Sequence, residues 1–173
     1  MKKAALLFAV MLLSLQAFAQ SYDTDFSCTR RLKISGKTTE MSGHLTYDGK
    51  ERLDMDYSDP EGDWFRIDGT SVDMNLLGKK AKLQADKVPM VALQRSTLLN
   101  CLKGDWEQAA KDNNATSSVS EKSGFRTVKL TAGGAVPRGG YRSITIQYRL
   151  KDSRITRLIL EELAGVEYTY EIK

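Results

Sequence analysis

The chain has 173 residues, with 26 lysines and arginines against 22 acids, one histidine and a formal charge of +4. Acidic and basic residues are interspersed, and without Lys2 and Lys3 the net charge falls to about +2, so nothing supports nucleic-acid binding. A chain of this length holds one domain with a single sizeable core and leaves no room for a second of ordinary size.

The chain opens with "MKKAALLFAVMLLSLQAFAQ". Two lysines precede an apolar run from Ala4 to Leu15 and the small-residue end Ala17-Phe18-Ala19. This reads as a secretory signal peptide over 1–19, leaving a domain over 20–173. The apolar run falls short of the ~20 residues that cross a bilayer. No cysteine stands at the cleavage point, so a soluble exported protein of the periplasm is expected rather than a lipid-anchored one. Cys28 and Cys101 would then enter an oxidising compartment, either as a disulfide or as two buried thiols.

From Phe26 onward the chain consists mostly of short alternating segments divided by turn signals, the mark of an antiparallel β protein. Phe26, Cys28, Leu32 and Ile34 share one face of a first strand. Met41, Gly43, Leu45 and Tyr47 form the apolar face of a second, and the Asp-Gly of "YDGK" turns it into a third. There Leu53, Met55 and Tyr57 alternate with Arg52, Asp54, Asp56 and Ser58. The acid-rich stretch 53–69 could be mistaken for a calcium loop, but Asp59 stands where an EF-hand needs glycine and Phe65 where it needs glutamate. It reads instead as strand, turn and strand. Trp64–Ile67 is the fourth strand, with Trp64 opposite Phe65 and Ile67 by parity and so at the outer face or rim. Val72, Met74 and Leu76 follow, then a weaker strand near Ala81–Leu83.

Between Pro89 and Asn113 the period changes. Met90, Leu93, Leu98, Leu99, Leu102, Trp106 and Ala109 recur at three and four residues, which predicts helix with one oily stripe. Gly104 reads as a stop and Asp105, with Gln108 three residues on, as a fresh N-cap, so two short helices are expected. Strands resume near Val119, Phe125–Leu130 and Ser143–Leu150, the last carrying Ile144, Ile146, Tyr148 and Leu150 on one face. "TAGGAVPRGG" between them is expected to be a flexible loop. "KDSR" turns into Ile155–Glu162 and "LAG" into Val166–Ile172. A long antiparallel meander with one apolar face must curl around something, and the helical pair is the candidate within the chain. The expected fold is therefore α+β: a strongly curved antiparallel sheet forming an unclosed half-barrel, with helices inserted in mid-sequence as a lid over the concave face.

Catalytic chemistry finds little support. His44 sits between Gly43 and Leu45 on the polar face of its strand, with no metal-ligand spacing around it. The serines lack a GxSxG elbow, and "AGGAVPRGGY" lacks the lysine of a phosphate loop. No enzyme, metal or cofactor is expected. Met41, Met55, Met74 and Met90 fall on inward positions, where pliable thioethers suit either a plain core or a cavity for varied acyl chains.

The stretch "SGHLTYDGKERLDMDYSDPEGDWFRIDGTSVDM" resembles the outer-membrane lipoprotein carrier protein family, the LolA-like fold. The likeness rests on "FSCT" at Phe26–Thr29, Gly43 and Leu45, Tyr57 and Pro60, and Asp68-Gly69, followed by the helical insert and the closing "LKDSRITRLILEELAGVEYTYEI". The resemblance implies a half-open barrel whose greasy interior shields lipoprotein acyl chains, or a related lipid, across the periplasm. It also implies an inner-membrane release complex as donor, an outer-membrane acceptor, and a monomer. On the apolar faces, such a cavity would be lined by Phe26, Leu45, Tyr47, Met55, Phe65, Ile67, Met74, Leu76, Ile146 and Leu160, with Met90, Leu98, Leu102 and Trp106 on the lid. The family's arginine that fastens the lid falls at Gly49 here, with Arg52 as a nearby substitute, and only "QSYDTD" precedes Phe26 where relatives have a helix. Members of this wider fold also act as envelope sensors or protein-interaction modules without lipid transfer, which is the alternative reading.

Overall fold

The structure, a computed structural model, describes residues 20–173, so the expected signal peptide lies outside the described residues. Eleven strands form one antiparallel sheet. In chain order they are β1 (Tyr22–Leu32), β2 (Thr38–Tyr47), β3 (Arg52–Asp59), β4 (Glu61–Asp68), β5 (Ser71–Leu76), β6 (Lys79–Gln84), β7 (Ala115–Lys122), β8 (Phe125–Ala132), β9 (Tyr141–Arg149), β10 (Ile155–Glu162) and β11 (Val166–Ile172). Two helices, α1 (Pro89–Lys103) and α2 (Trp106–Asp112), stand between β6 and β7.

The spatial order is β6-β5-β4-β3-β2-β1-β11-β10-β9-β8-β7. Two runs of hairpins thus meet where the first strand pairs with the last, Phe26 opposite Ile172 and Leu32 opposite Val166. β6 and β7 remain as separate edges, so the sheet does not close into a barrel. α1 nevertheless packs against both β6 and β10, which lie far apart in the strand order. Only a sheet curled around the helix can meet it from both sides.

The strand faces follow the alternation of the sequence. Leu53, Met55 and Tyr57 of β3 are buried while Arg52 and Asp56 are exposed. The acids of that outer face hold arginines: Arg52 bonds Asp54 at 3.0 Å and Arg66 bonds Asp56 at 3.0 Å, while the Arg66 guanidinium lies 4.9 Å over the Trp64 ring. Residues 53–69 are thus strand, turn and strand, with Trp64 outward. Two expectations are corrected. Ile34 is 94% exposed because β1 ends at Leu32 and the chain turns before Ile34 can share its inner face. Leu150 lies beyond β9 and is exposed for the same reason. In the glycine-rich connection before β9, Gly139, at φ +86°, abuts Met90, and the Gly140 N–H donates to the Pro137 carbonyl at 2.8 Å.

α1 begins with Pro89 in its first turn, where a missing N–H costs nothing. It ends at Gly104 in the left-handed region, whose N–H closes on the last turn, and the Asp105 carboxylate then accepts the Gln108 N–H to start α2. The two helices are joined by polar contacts: Ser96 Oγ donates to Asp112 Oδ2 at 2.6 Å, and the Asn113 amide donates to Thr97 Oγ1 at 2.7 Å and to the Ala109 carbonyl at 2.9 Å. Asn113 and Thr97 are both buried, and the Asn113 side-chain oxygen accepts the Tyr141 N–H at 3.4 Å. The Tyr148 hydroxyl donates to the Cys101 carbonyl at 3.0 Å. The helix pair is therefore held to β9 by hydrogen bonds that water cannot replace.

The cysteines are two free buried thiols, which decides between the alternatives left open by the sequence. Cys28 lies in β1 opposite Met41 and Tyr170, whereas Cys101 sits on α1 above β9, three strands along the sheet. Burial pushes both thiols up to about 12, so neither forms the reactive thiolate at ordinary pH. Iodoacetamide should leave both unmodified in the folded protein and alkylate both after unfolding, read by intact mass. Alkylation of either thiol before unfolding would contradict this burial.

At the β2–β3 bulge Gly43 stands opposite Tyr57, and a Cβ there would fall on the Asp56 carbonyl oxygen and lie 2.8 Å from Tyr57 Cα. Gly43→Ala should therefore cost about 1–3 kcal/mol by overpacking, measured by urea unfolding.

Candidate functional site: an apolar cavity under the helix pair

Between the concave face and α1 lies a cavity of about 250 Å³. Its walls come from β2 to β6 on one side, β9 to β11 on the other, and one face of α1 above. From the expected set, Leu45, Met55, Phe65, Met74, Leu76 and Leu160 line it, with Leu98 and Leu102 from the helix. The other expected positions lie elsewhere. Phe26 is buried behind the cavity, its ring edge-on to Tyr57 at 5.1 Å. Tyr47 packs with Tyr22 and donates its hydroxyl to the Lys50 carbonyl at the strand end. Ile67 is wholly buried between Leu53 and Val72. Ile146 is equally buried, but in β9, the strand to which the helices are pinned, and it does not line the cavity.

On the helices, Met90 is 38% exposed because it covers the glycine-rich connection rather than the cavity, and Val91 points inward in its place. Trp106 lies in a separate cleft with Lys103, Arg126 and Arg149. The helical stripe is thus rotated: Val91, Arg95, Leu98 and Leu102 form the cavity-facing row at spacings of four and three.

Residues that the sequence reading did not select complete the site. Leu53, Tyr57, Tyr168, Tyr170 and Ile172 line the cavity and were marked by strand alternation alone. Leu83, Leu158 and Val72 add aliphatic wall. Gln94, Arg95, Tyr141 and Glu162 bring polar groups, which no apolar pattern could reveal. Burial pushes the Tyr141, Tyr168 and Tyr170 phenols up and the Glu162 carboxyl up, the last partly offset by Arg30 nearby.

Arg95 also fastens α1 to the sheet. Its Nε donates to the Gly69 carbonyl at 2.5 Å in the β4–β5 turn, and its guanidinium lies 3.4 Å from Glu51 in the β2–β3 turn. The position matched to the family's fastening arginine holds Gly49, within that same β2–β3 turn, and Arg52 is turned outward onto Asp54, so neither reaches the lid. The link runs from helix to sheet instead.

These features define a class of protein: an open antiparallel half-barrel, lidded by a helix pair pinned at one side, with an apolar cavity beneath. No family model and no curated relative matches the sequence. Among solved structures, the chain is similar to a LolA superfamily protein from Nitrosomonas europaea, at 10% identity over 90% of this chain and 85% of that one, with a TM-score of 0.40. It is also similar to a putative outer membrane lipoprotein-sorting protein domain from Vibrio parahaemolyticus, at 6% identity over 95% and 88%, TM-score 0.39. A third is the Mycobacterium tuberculosis lipoprotein LppX, at 15% identity over 98% and 94%, TM-score 0.32. The fold class itself rests on this chain's own strand order and register, not on such distant likenesses.

His44 lies outside the site, on the outer face. Its Nδ1 is 3.0 Å from Asp25 and its Nε2 2.7 Å from Asp23. The hydrogen bond to Asp25, then that to Asp23, raises the imidazole above its ordinary 6.5. The pair's contribution to stability is therefore fully present below 6.5 and is lost as pH rises through the raised folded value. In urea unfolding from about pH 5 to about pH 9, His44→Asn should remove that decline in stability with rising pH while leaving the rest of the profile in place.

Proposed function

We propose that this chain is a periplasmic carrier that shields the acyl chains of lipoproteins, or of a related lipid, between its curved sheet and helix pair for transfer toward the outer membrane. The observation that carries the reading is the cavity itself. Its wall is mostly aliphatic and aromatic, includes the pliable Met55 and Met74, and is covered by a helix that is pinned on the β9 side and fastened by one arginine on the other. An acyl chain of ten methylenes leaving water for such a wall gains about 8 kcal/mol, which sets the scale of the shelter. At about 250 Å³ the resting cavity lies just under the ~300–1,000 Å³ usual for ligand pockets, so it suits part of one chain, and more chains require the helix to swing outward. The Arg95 link to Gly69 and Glu51 is the contact such a swing breaks, while the Asn113 and Tyr148 bonds keep the helices attached.

On this reading residues 1–19 are a signal peptide, the working form is a monomer, and an inner-membrane release complex and an outer-membrane acceptor are its partners. No enzymatic step or cofactor is required. The second reading, an envelope sensor or interaction module of the same fold, draws on the extent of the polar pinning between α1, α2 and β9.

Protein purified from its native envelope should carry extractable lipid. Met74→Trp, which fills the cavity, should lower that load severalfold by mass spectrometry while leaving thermal stability unchanged or raised. Protein that arrives free of lipid, or a Met74→Trp variant that keeps its full load, would overturn the carrier reading.

A further inference from the structure

The concave face is apolar through its middle but not at the end where β10 turns into β11. Three neighbouring strands there point polar groups inward. On β10, Glu162 follows Leu158 and Leu160 at strand spacing and lines the cavity. On β11, Tyr168 pairs with Leu160 and also lines it. On β1, Arg30 pairs with Tyr168 and follows Phe26 and Cys28 at strand spacing, which puts it on the same face.

The contrast with the outer face at the same level is sharp. Glu161, one residue away and pointing outward, is held by Lys33 at 2.9 Å, Ser143 at 3.0 Å and Arg142 at 3.5 Å, and Glu167 is held by Lys33 at 3.4 Å. Among the described residues, Glu162 forms no hydrogen bond or ion pair through its side chain, and Arg30 forms no ion pair. Arg30 lies against the Tyr168 hydroxyl, tempering the rise that burial causes in that phenol, and it acts on Glu162 through space. Arg30 and Glu162 thus share the inner face from strands two steps apart, about 12 Å in backbone spacing because Glu162 stands two residues beyond Leu160, the level of Arg30, and they do not neutralise each other by contact.

A half-buried carboxylate beside an apolar wall costs desolvation that Arg30, acting only through space, offsets in part. A ligand carrying both signs would offset it at both ends. An anionic group set against the Arg30 fork and an ammonium set against Glu162, each at a charge-assisted contact of about 2.8 Å, bridge a gap of this size when the two ligand charges stand a few ångströms apart. The Tyr168 and Tyr141 rings beside them supply faces for a quaternary or primary ammonium.

We propose that Arg30, Tyr168, Glu162 and Tyr141 form a head-group collar that selects a zwitterionic amphiphile, phosphate toward Arg30 and ammonium toward Glu162, with its hydrocarbon chain in the cavity. The inference rests on the carrier reading and names its cargo class.

Four probes that share a dodecyl chain separate the two. Dodecylphosphocholine, dodecyl phosphate, dodecyltrimethylammonium and dodecyl maltoside are titrated below their micelle concentrations by calorimetry into the purified protein. The collar predicts that dodecylphosphocholine binds at least tenfold more tightly than the other three. Arg30→Gln and Glu162→Gln should each bring it to within about threefold of dodecyl maltoside, whose binding to the same variant reports that the cavity still forms. Equal binding of all four probes, or a zwitterion preference that survives both substitutions, would overturn the collar and leave the carrier reading standing. No measurable binding of any probe would overturn both.

Discussion

A single constraint organises this molecule: a long antiparallel sheet has only one apolar face, and that face must be removed from water by something the chain itself carries. The helix pair is that cover. It enters between β6 and β7, the two free edges, so the segment linking the edges is also the segment that crosses the concavity. The curl of the sheet, the cavity and the separation of the two edges all follow from α1 occupying the space where a closed barrel would pair its last strands.

The cover is held unevenly, and the unevenness shapes the site. Toward β9 it is secured by buried, directional bonds: Asn113 to Thr97 and to the Tyr141 N–H, and Tyr148 to the Cys101 carbonyl. Beneath it there, Ile144, Ile146, Val128 and Leu130 are almost wholly buried. Toward β3, β4 and β5 the contact is apolar and incomplete, and a single side chain, Arg95, reaches across to the strand turns. The apolar cavity lies on the side where Arg95 makes the polar link.

Much of this plan was legible in the residues. The alternation of Leu53, Met55 and Tyr57 against charged neighbours marked the strand face, the shift to spacings of three and four marked the helices, and Gly104 followed by Asp105 marked their division. The cavity was less legible because parity separates inward from outward but does not separate a packed interior from an open one. Ile146 and Leu160 carry the same signal, yet one is sealed under the helices and the other borders space. Met90 and Val91 exchange roles because a rotation of α1 by one residue is decided by its neighbours, here Gly139 and Asn113. Arg95, Gln94 and Glu162 left no trace, since a polar residue at the border of a cavity looks, in one dimension, like any solvated one.

What the amino-acid order determined alone is the set of local choices: strand or helix, which side is apolar, where the chain turns. Each depends on near neighbours and on spacing along the chain. What only the tertiary structure decided is distance between residues remote in sequence: the two thiols apart, Arg95 on the turns at Glu51 and Gly69, Arg30 near enough to act on Glu162. Those relations come from the pairing of β1 with β11 and from the helix lying across the curled sheet. Such contacts are set by how whole elements share one volume, a quantity that no local pattern records.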